Sequence, residues 1–188
     1  MARPRGTVPG HPLRGRAGLI FLTVGSALPF DRLVRMVDQA VGAGALAEEV
    51  FAQIGAGTYQ PRHMRWVRML PAAEFAATVD GCSAIISHAG IGTITTAVEN
   101  GKPLLVLPRN PAFGELVDDH QTKTARCFAE LGHLLTFENE QELTARLAEL
   151  ATFVPVPRRP NVRGVAEAIG GFLDTLADPP QGAERRPC

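Results

Sequence analysis

At 188 residues the chain is long enough for one domain with a full hydrophobic core. Lysine plus arginine equal aspartate plus glutamate at 19 each, so no global charge points to nucleic acid or to an acidic substrate. Cys82, Cys127 and Cys188 show neither CxxC nor metal-site spacing, which excludes a disulfide framework or zinc site as the organising device and fits a reducing cytosol.

Residues 1–18 mix Arg3, Arg5, Arg14 and Arg16 with proline and glycine, lack the apolar segment of a secretory signal, and are expected to form a disordered leader. No apolar run approaches the roughly 20 residues that cross a bilayer, so a soluble protein is expected. An alternation of strands and helices then begins. Leu19-Ile20-Phe21-Leu22-Thr23 is a short apolar run of the buried-strand kind. Pro29 opens a helix with Phe30, Leu33, Val34, Val37 and Val41 on one face. Strands are predicted over 49–54 and 65–70, separated by the turn Gly55-Ala56-Gly57, with Trp66 packing in the sheet. Pro71 starts a helix through Val79, and Ala84-Ile85-Ile86-Ser87 is another buried strand. A helix over 93–100 stops at Gly101, a usual C-terminal cap residue, and a strand over 103–108 is framed by prolines. A helix over 118–131 ends at Gly132, a short strand covers 134–137, and Leu143, Leu147 and Leu150 mark a further helix. After the break at 155–160, Val162, Val165, Ile169, Leu173 and Leu176 mark a last helix, and the tail from Asp178 is expected to be disordered. Strands separated by helices of this length predict an α/β domain over 19–177, a Rossmann-like doubly wound parallel sheet. Ligands of such sheets bind outside the carboxyl ends of the strands.

Ser87-His88-Ala89-Gly90-Ile91-Gly92-Thr93 joins a buried strand to a helix. Gly90 and Gly92 let backbone turn tightly and approach a ligand, and the helix start offers unpaired N–H groups to an anion. The Thr93 hydroxyl can cap that helix or meet a phosphate oxygen. The same residues also suit a plain strand-to-helix turn, and spacing leaves both readings open. Gly101-Lys102-Pro103 lacks the Ser or Thr of a P-loop. The acidic residue that a dinucleotide fold wants about 20 positions past the glycines is replaced by Arg109 and Asn110. Asp118-Asp119-His120-Gln121 places four polar groups beside the ligand edge, and Gln121 offers the donor and acceptor that sugar hydroxyls need. His63 and His133 read as surface or loop residues and Cys82 and Cys127 as core residues; Arg109, coming after a strand, could meet phosphate or a partner subunit but reads first as a surface arginine.

Phe21-Leu22-Thr23-Val24-Gly25-Ser26 with Pro29-Phe30-Asp31-Arg32-Leu33, the run 87–93, Gly101-Lys102-Pro103-Leu104, Pro108-Arg109, and Gly114-Glu115 with 118–121 together resemble the glycosyltransferase family 28 C-terminal domain. The likeness runs from about 20 to 135. It is to the small, free-standing form found as the cytosolic subunit of the dolichol-linked GlcNAc transferase and as soluble subunits of bacterial exopolysaccharide transferases. The resemblance implies the C-terminal (donor) half of a GT-B enzyme, a UDP-sugar donor, inverting transfer, and no cofactor or metal. It further implies a membrane-anchored acceptor-binding partner subunit, a polyprenyl-diphosphate-linked sugar acceptor, and a cytoplasmic protein recruited to the inner face of the membrane.

Carried over by position, His88, Gly90, Gly92 and Thr93 would serve the donor diphosphate, and Asp119, His120 and Gln121 the donor sugar. Met69 and Leu70 would meet the uracil through backbone, and Gly25 and Ser26 would line the cleft loop. Many relatives carry a ribose-binding Glu eight residues after the histidine; here that position is Thr96, with Glu99 further along the helix. A threonine cannot repeat the bidentate pairing of a carboxylate. The general base is expected on the partner, since His88 sits beside the phosphate loop. A non-catalytic nucleotide-sugar-binding regulatory subunit is the alternative that Thr96 favours.

Overall fold

A computed structural model of the chain describes residues 18–158; the expected leader, the helix at 162–176, the boundary at 177 and the tail lie outside the described residues. Six parallel strands form one sheet in the order β3-β2-β1-β4-β5-β6. They are β1 (Leu19–Thr23), β2 (Glu49–Gln53), β3 (Arg65–Val67), β4 (Ala84–His88), β5 (Leu104–Leu107) and β6 (Leu135–Thr136). The helices are α1 (Asp31–Gly42), α2 (Ala72–Gly81), α3 (Ile91–Glu99), α4 (His120–Glu130) and α5 (Glu140–Leu150), and a short 3-10 turn spans Pro111–Phe113. The chain winds outward from β1 to β3 and then returns to build β4 to β6 on the other side. The reversal lies between β1 and β4, where Thr23 pairs with Ser87.

Two apolar layers cover the sheet, which explains why its strands read as continuous apolar runs instead of alternating ones. Ile20, Leu22, Ile86, Leu105 and Leu107 join the α1 residues Leu33, Val34 and Val37 and the α5 residues Leu143, Leu147 and Leu150. Their strand neighbours Phe21, Ile85, Leu104 and Val106 face the opposite layer with Val79 of α2, Ile94, Ala97 and Val98 of α3, and Ala125 of α4. The period-2 pleat thus splits each strand between two cores of similar character.

Several local expectations shift. The edge strand β3 ends at Val67 and not at residue 70; beyond it the Leu70 N–H is bonded to a side chain, Gln53 Oε1, at 2.9 Å. The α3 helix starts at Ile91 with Gly90 as its cap, so Thr93 lies inside the first turn and makes no cap. The α4 helix starts at His120, leaving Asp118 and Asp119 before it. Cys127 is exposed on α4 and is not a core residue, whereas Cys82 is buried as expected, with burial pushing its thiol up to about 11. Inside α1, Asp38 is fully buried. Its carboxylate accepts from the Tyr59 hydroxyl at 2.7 Å and from the backbone N–H groups of Arg62 and His63, pinning the loop before β3.

Candidate functional site

The carboxyl ends of β1, β4 and β5 meet around His88, the last residue of β4. Its ring lies in a slot that two glycines create. A Cβ on Gly25 would come within 2.5 Å of His88 Nε2, and one on Gly90 would overlap the ring outright. Gly25 also adopts φ +77°, a left-handed turn that returns the chain after β1. Gly90 has an ordinary φ of −78°, so its glycine answers to the His88 ring and not to backbone conformation.

Gln121, only 4% exposed, fixes the other side of the ring. Its Oε1 accepts the backbone N–H of Arg109 at 3.2 Å, which orients the amide so that Nε2 faces His88 Nδ1 at 3.4 Å. An amide nitrogen only donates, so Nδ1 accepts and a neutral ring carries its proton on Nε2. Burial first, and the Arg109 charge second, hold the imidazole well below its ordinary range, at about 4. His88 is therefore neutral at physiological pH, a hydrogen-bonding group and a weak base.

The expected phosphate loop separates into parts with different reasons for existing. At the α3 N-terminus the N–H groups of Thr93 and Ile94 both reach the Gly90 carbonyl, whereas those of Ile91 and Gly92 have no partner among the described residues. No side chain caps the helix. Gly92 is exposed, and a Cβ built on it would meet nothing within 4 Å. Neither strain nor packing calls for a glycine there, although glycine inside a helix costs about 0.5–1 kcal/mol relative to alanine. Free N–H groups, an uncapped helix start and open space are the features that suit an anion.

Arg109 corrects the reading of a surface arginine. It is 3% exposed, and its Nη2 donates to the carbonyls of Val24 at 2.9 Å and Leu28 at 2.8 Å across the β1–α1 loop. Its position two residues after β5, at the carboxyl edge of the sheet, was the available signal. Around it the 108–119 loop is tied to α1. Arg32 grips Glu115 with Nε at 2.8 Å and Nη2 at 2.7 Å, and also donates to the Pro108 carbonyl.

The remaining candidates divide. The Thr96 hydroxyl bonds the Gly92 carbonyl at 2.8 Å, one turn along α3 from the free N–H groups. Glu99 is exposed at the far end of that helix. Asp119 and His120 are exposed; Asp119 pairs with Lys123 at 2.9 Å, and His120 Nδ1 pairs with Asp118. Of the polar quartet at 118–121, Gln121 alone hydrogen-bonds to His88 or Arg109. Met69 is exposed, its backbone unbonded among the described residues, while the Leu70 N–H is taken by Gln53. Gln53 Nε2 in turn donates to Thr23 Oγ1 at 3.3 Å, so one buried polar chain links the 69–70 segment to the start of the Gly25 turn. Sequence patterning gave no sign of that chain. Ser26 is exposed. His63 and His133 lie in loops, the latter bonded to the Val156 carbonyl. Among the described residues no group of three or more His, Cys, Asp or Glu is placed to hold a metal ion, and no helix is long and apolar enough to cross a membrane.

The model of the glycosyltransferase family 28 C-terminal domain matches residues 19–161. The chain is 38% identical over 76 residues to the UDP-N-acetylglucosamine transferase subunit ALG13 of Eremothecium gossypii, covering 39% of this chain and 36% of that protein. It is 31% identical over 83 residues to the UDP-N-acetylglucosamine–N-acetylmuramyl-(pentapeptide) pyrophosphoryl-undecaprenol N-acetylglucosamine transferase of Prochlorococcus marinus, covering 42% of this chain and 22% of that protein. The matches thus span about a third or less of the length of these relatives. In structure it resembles ALG13 as determined by NMR, with TM-score 0.52 and 20% identity over 81% of this chain and 94% of that one.

Proposed function

This chain belongs to the glycosyltransferase family 28 C-terminal domain family, and from that membership we propose that it is the donor-binding subunit of an inverting glycosyltransferase. It moves a hexose or hexuronic acid from a UDP-sugar to a polyprenyl-diphosphate-linked sugar during polysaccharide biosynthesis. N-acetylglucosamine is the sugar that the names of both relatives carry. A second, membrane-anchored subunit supplies the acceptor site and brings this chain to the inner face of the membrane. The fold is that of the C-terminal half of a GT-B enzyme, one Rossmann-like sheet.

The observation that carries the reading is the α3 N-terminus at Ile91 and Gly92, with free N–H groups and room above a glycine that nothing internal requires. In transfer, an acceptor hydroxyl oxygen attacks the anomeric carbon as the bond from that carbon to the donor phosphate breaks. UDP leaves with the electron pair. The proton passes to a base on the partner subunit, because His88 is held neutral and weakly basic. The two N–H groups and the helix dipole stabilise the negative charge that grows on the leaving diphosphate, the type of preorganised term that dominates such sites. Gln121, with one donor and acceptor capacity to spare, is assigned to the donor sugar. Met69 is assigned to the uracil, since its backbone donor and acceptor are both unspent among the described residues. Ribose contact falls to Thr96, whose hydroxyl oxygen still accepts while its proton bonds Gly92.

Gly92→Val tests the diphosphate assignment. A branched side chain then fills the open space while the fold persists, and calorimetry should show UDP affinity lower by at least about tenfold, or roughly 1.4 kcal/mol. Unchanged affinity in a folded variant removes the assignment.

A further inference from the structure

We propose, resting on the donor-site reading above, that Arg109 is the positioning residue of the site: a buried guanidinium that braces the β1–α1 loop and supplies the unneutralised positive charge which a bound diphosphate completes. Arg109 is nearly sequestered from solvent, yet no carboxylate bonds it among the described residues. Its recorded acceptors are two neutral carbonyls, those of Val24 and Leu28. Its Nε is buried with no partner among the described residues. Its flat face lies 4.8 Å from the centre of the Phe30 ring. The nearby carboxylate whose charge reaches it, Glu115, is held by both nitrogens of the Arg32 fork. Two guanidiniums therefore share one carboxylate, and the cluster keeps a net positive charge.

A buried cation without a matched anion is costly. A tether to two carbonyls needs only a neutral donor, and the Phe30 face attracts the cation without neutralising it, so the charge is left without a matched anion. It does have a direction of action. The charge of Arg109 is felt at His88, which ends β4 three residues before α3 begins. The uncapped α3 N-terminus there has the same sign of field, and the two add for an anion and for nothing else. The bracing acts in parallel. Val24 and Leu28 flank the loop that contains Gly25, whose glycine admits the His88 ring, and the backbone N–H of Arg109 orients Gln121. One residue thus sets the loop, the amide and the field.

The experiment compares wild type, Arg109→Met and Arg109→Lys, each confirmed as folded by thermal melt. UDP and inorganic pyrophosphate are titrated by calorimetry, and the His88 imidazole by NMR. Arg109→Met should lose at least tenfold affinity for both probes and raise the His88 pKa from about 4. Arg109→Lys keeps the charge but not the fork; it should retain most of the affinity and leave His88 near its wild-type value. The proposal is overturned if the Met variant binds both probes as wild type does. It is equally overturned if Lys fails as badly as Met with His88 unmoved, since a loop tether alone then explains the residue. If Arg109→Met does not fold, Arg109→Gln makes the same comparison with a neutral donor; if neither neutral variant folds, Arg109 is structural and the proposal falls. Wild type binding pyrophosphate but not UDP sinks the nucleotide reading and leaves the Arg109 comparison intact. Binding of neither sinks both.

Discussion

Gly90 and His88 show how one side chain can dictate another across two positions. Gly90 does not need a glycine's conformations; it needs a glycine's volume, because the His88 ring occupies the space of its Cβ. Gly90→Ala should therefore destabilise the fold by about 1–3 kcal/mol through overpacking. Adding His88→Ala should recover part of that loss, with a coupling on the order of 1 kcal/mol or more in urea-denaturation midpoints. Strict additivity of the two substitutions would disprove the contact. The ring also makes stability pH-dependent. His88 takes up its proton at about 4 when folded and near the ordinary 6.5 when unfolded. Between those values the unfolded chain binds more protons, so this contribution is complete above pH 6.5 and is lost as pH falls toward 4. The loss has an upper limit on the order of 3 kcal/mol. A His88→Gln variant that still folds should lack that slope, and matching pH profiles for the two proteins would refute it. The buried carboxylate of Asp38 acts lower still. Burial alone would raise it, but N–H donors from Arg62 and His63 and the Tyr59 hydroxyl hold it below its ordinary 3.8, so its loss adds only under more acid conditions.

At the scale of elements, the site depends on how the 108–119 loop is held against α1. The loop follows a fully buried strand and carries a left-handed Gly114 at φ +68°. Its own 3-10 turn is capped by Asn110, whose side chain accepts the Ala112 N–H at 2.9 Å. The Arg32–Glu115 fork joins it to α1, and Glu115 Oε2 also accepts the Asn110 N–H at 2.9 Å. A bidentate charged pair with both side chains largely buried is worth more than an exposed one. Glu115→Ala should cost about 1.5–3 kcal/mol, and hydrogen exchange should accelerate at Asn110 and Phe113 while the strand amides of β4 and β5 stay protected. Equal acceleration across the sheet would mean that the pair holds the whole domain and not the loop. Phe113 stacks on Arg32 with its ring centre 4.7 Å from the guanidinium yet stays 64% exposed. Leu28 and Ile91 are likewise exposed, so apolar side chains rim the carboxyl edge beside the candidate anion site.

For the whole molecule, the described residues form one parallel sheet with one carboxyl edge, and transfer requires donor and acceptor held in contact. The chain alone should bind UDP and move no sugar to a polyprenyl-diphosphate-linked acceptor. Co-expression with the proposed membrane-anchored subunit should restore transfer and carry the chain into the membrane fraction. Sustained turnover by the chain alone on a lipid-linked acceptor would overturn the two-subunit reading without touching the fold.

By itself the sequence determined the α/β alternation, the six strands and the five described helices, because short apolar or alternating runs and amphipathic helices are local signals. It also located the loop at 88–93, since a glycine pair between strand and helix is written in consecutive positions. Tertiary structure alone decided what each residue there is for. Gly90 yields to His88, Gly92 yields to nothing among the described residues, and Thr93 lies inside the helix and not at its cap. It likewise turned Arg109 from a surface residue into a buried brace, because its carbonyl partners lie 85 and 81 positions away in the chain. Cys127 moved the other way, an apolar-looking residue on the exposed face of α4. Local patterning reports how a segment meets its neighbours in sequence; the parallel crossover, which sets β1 beside β4 and β5 beyond it, brings together groups that no window of sequence contains.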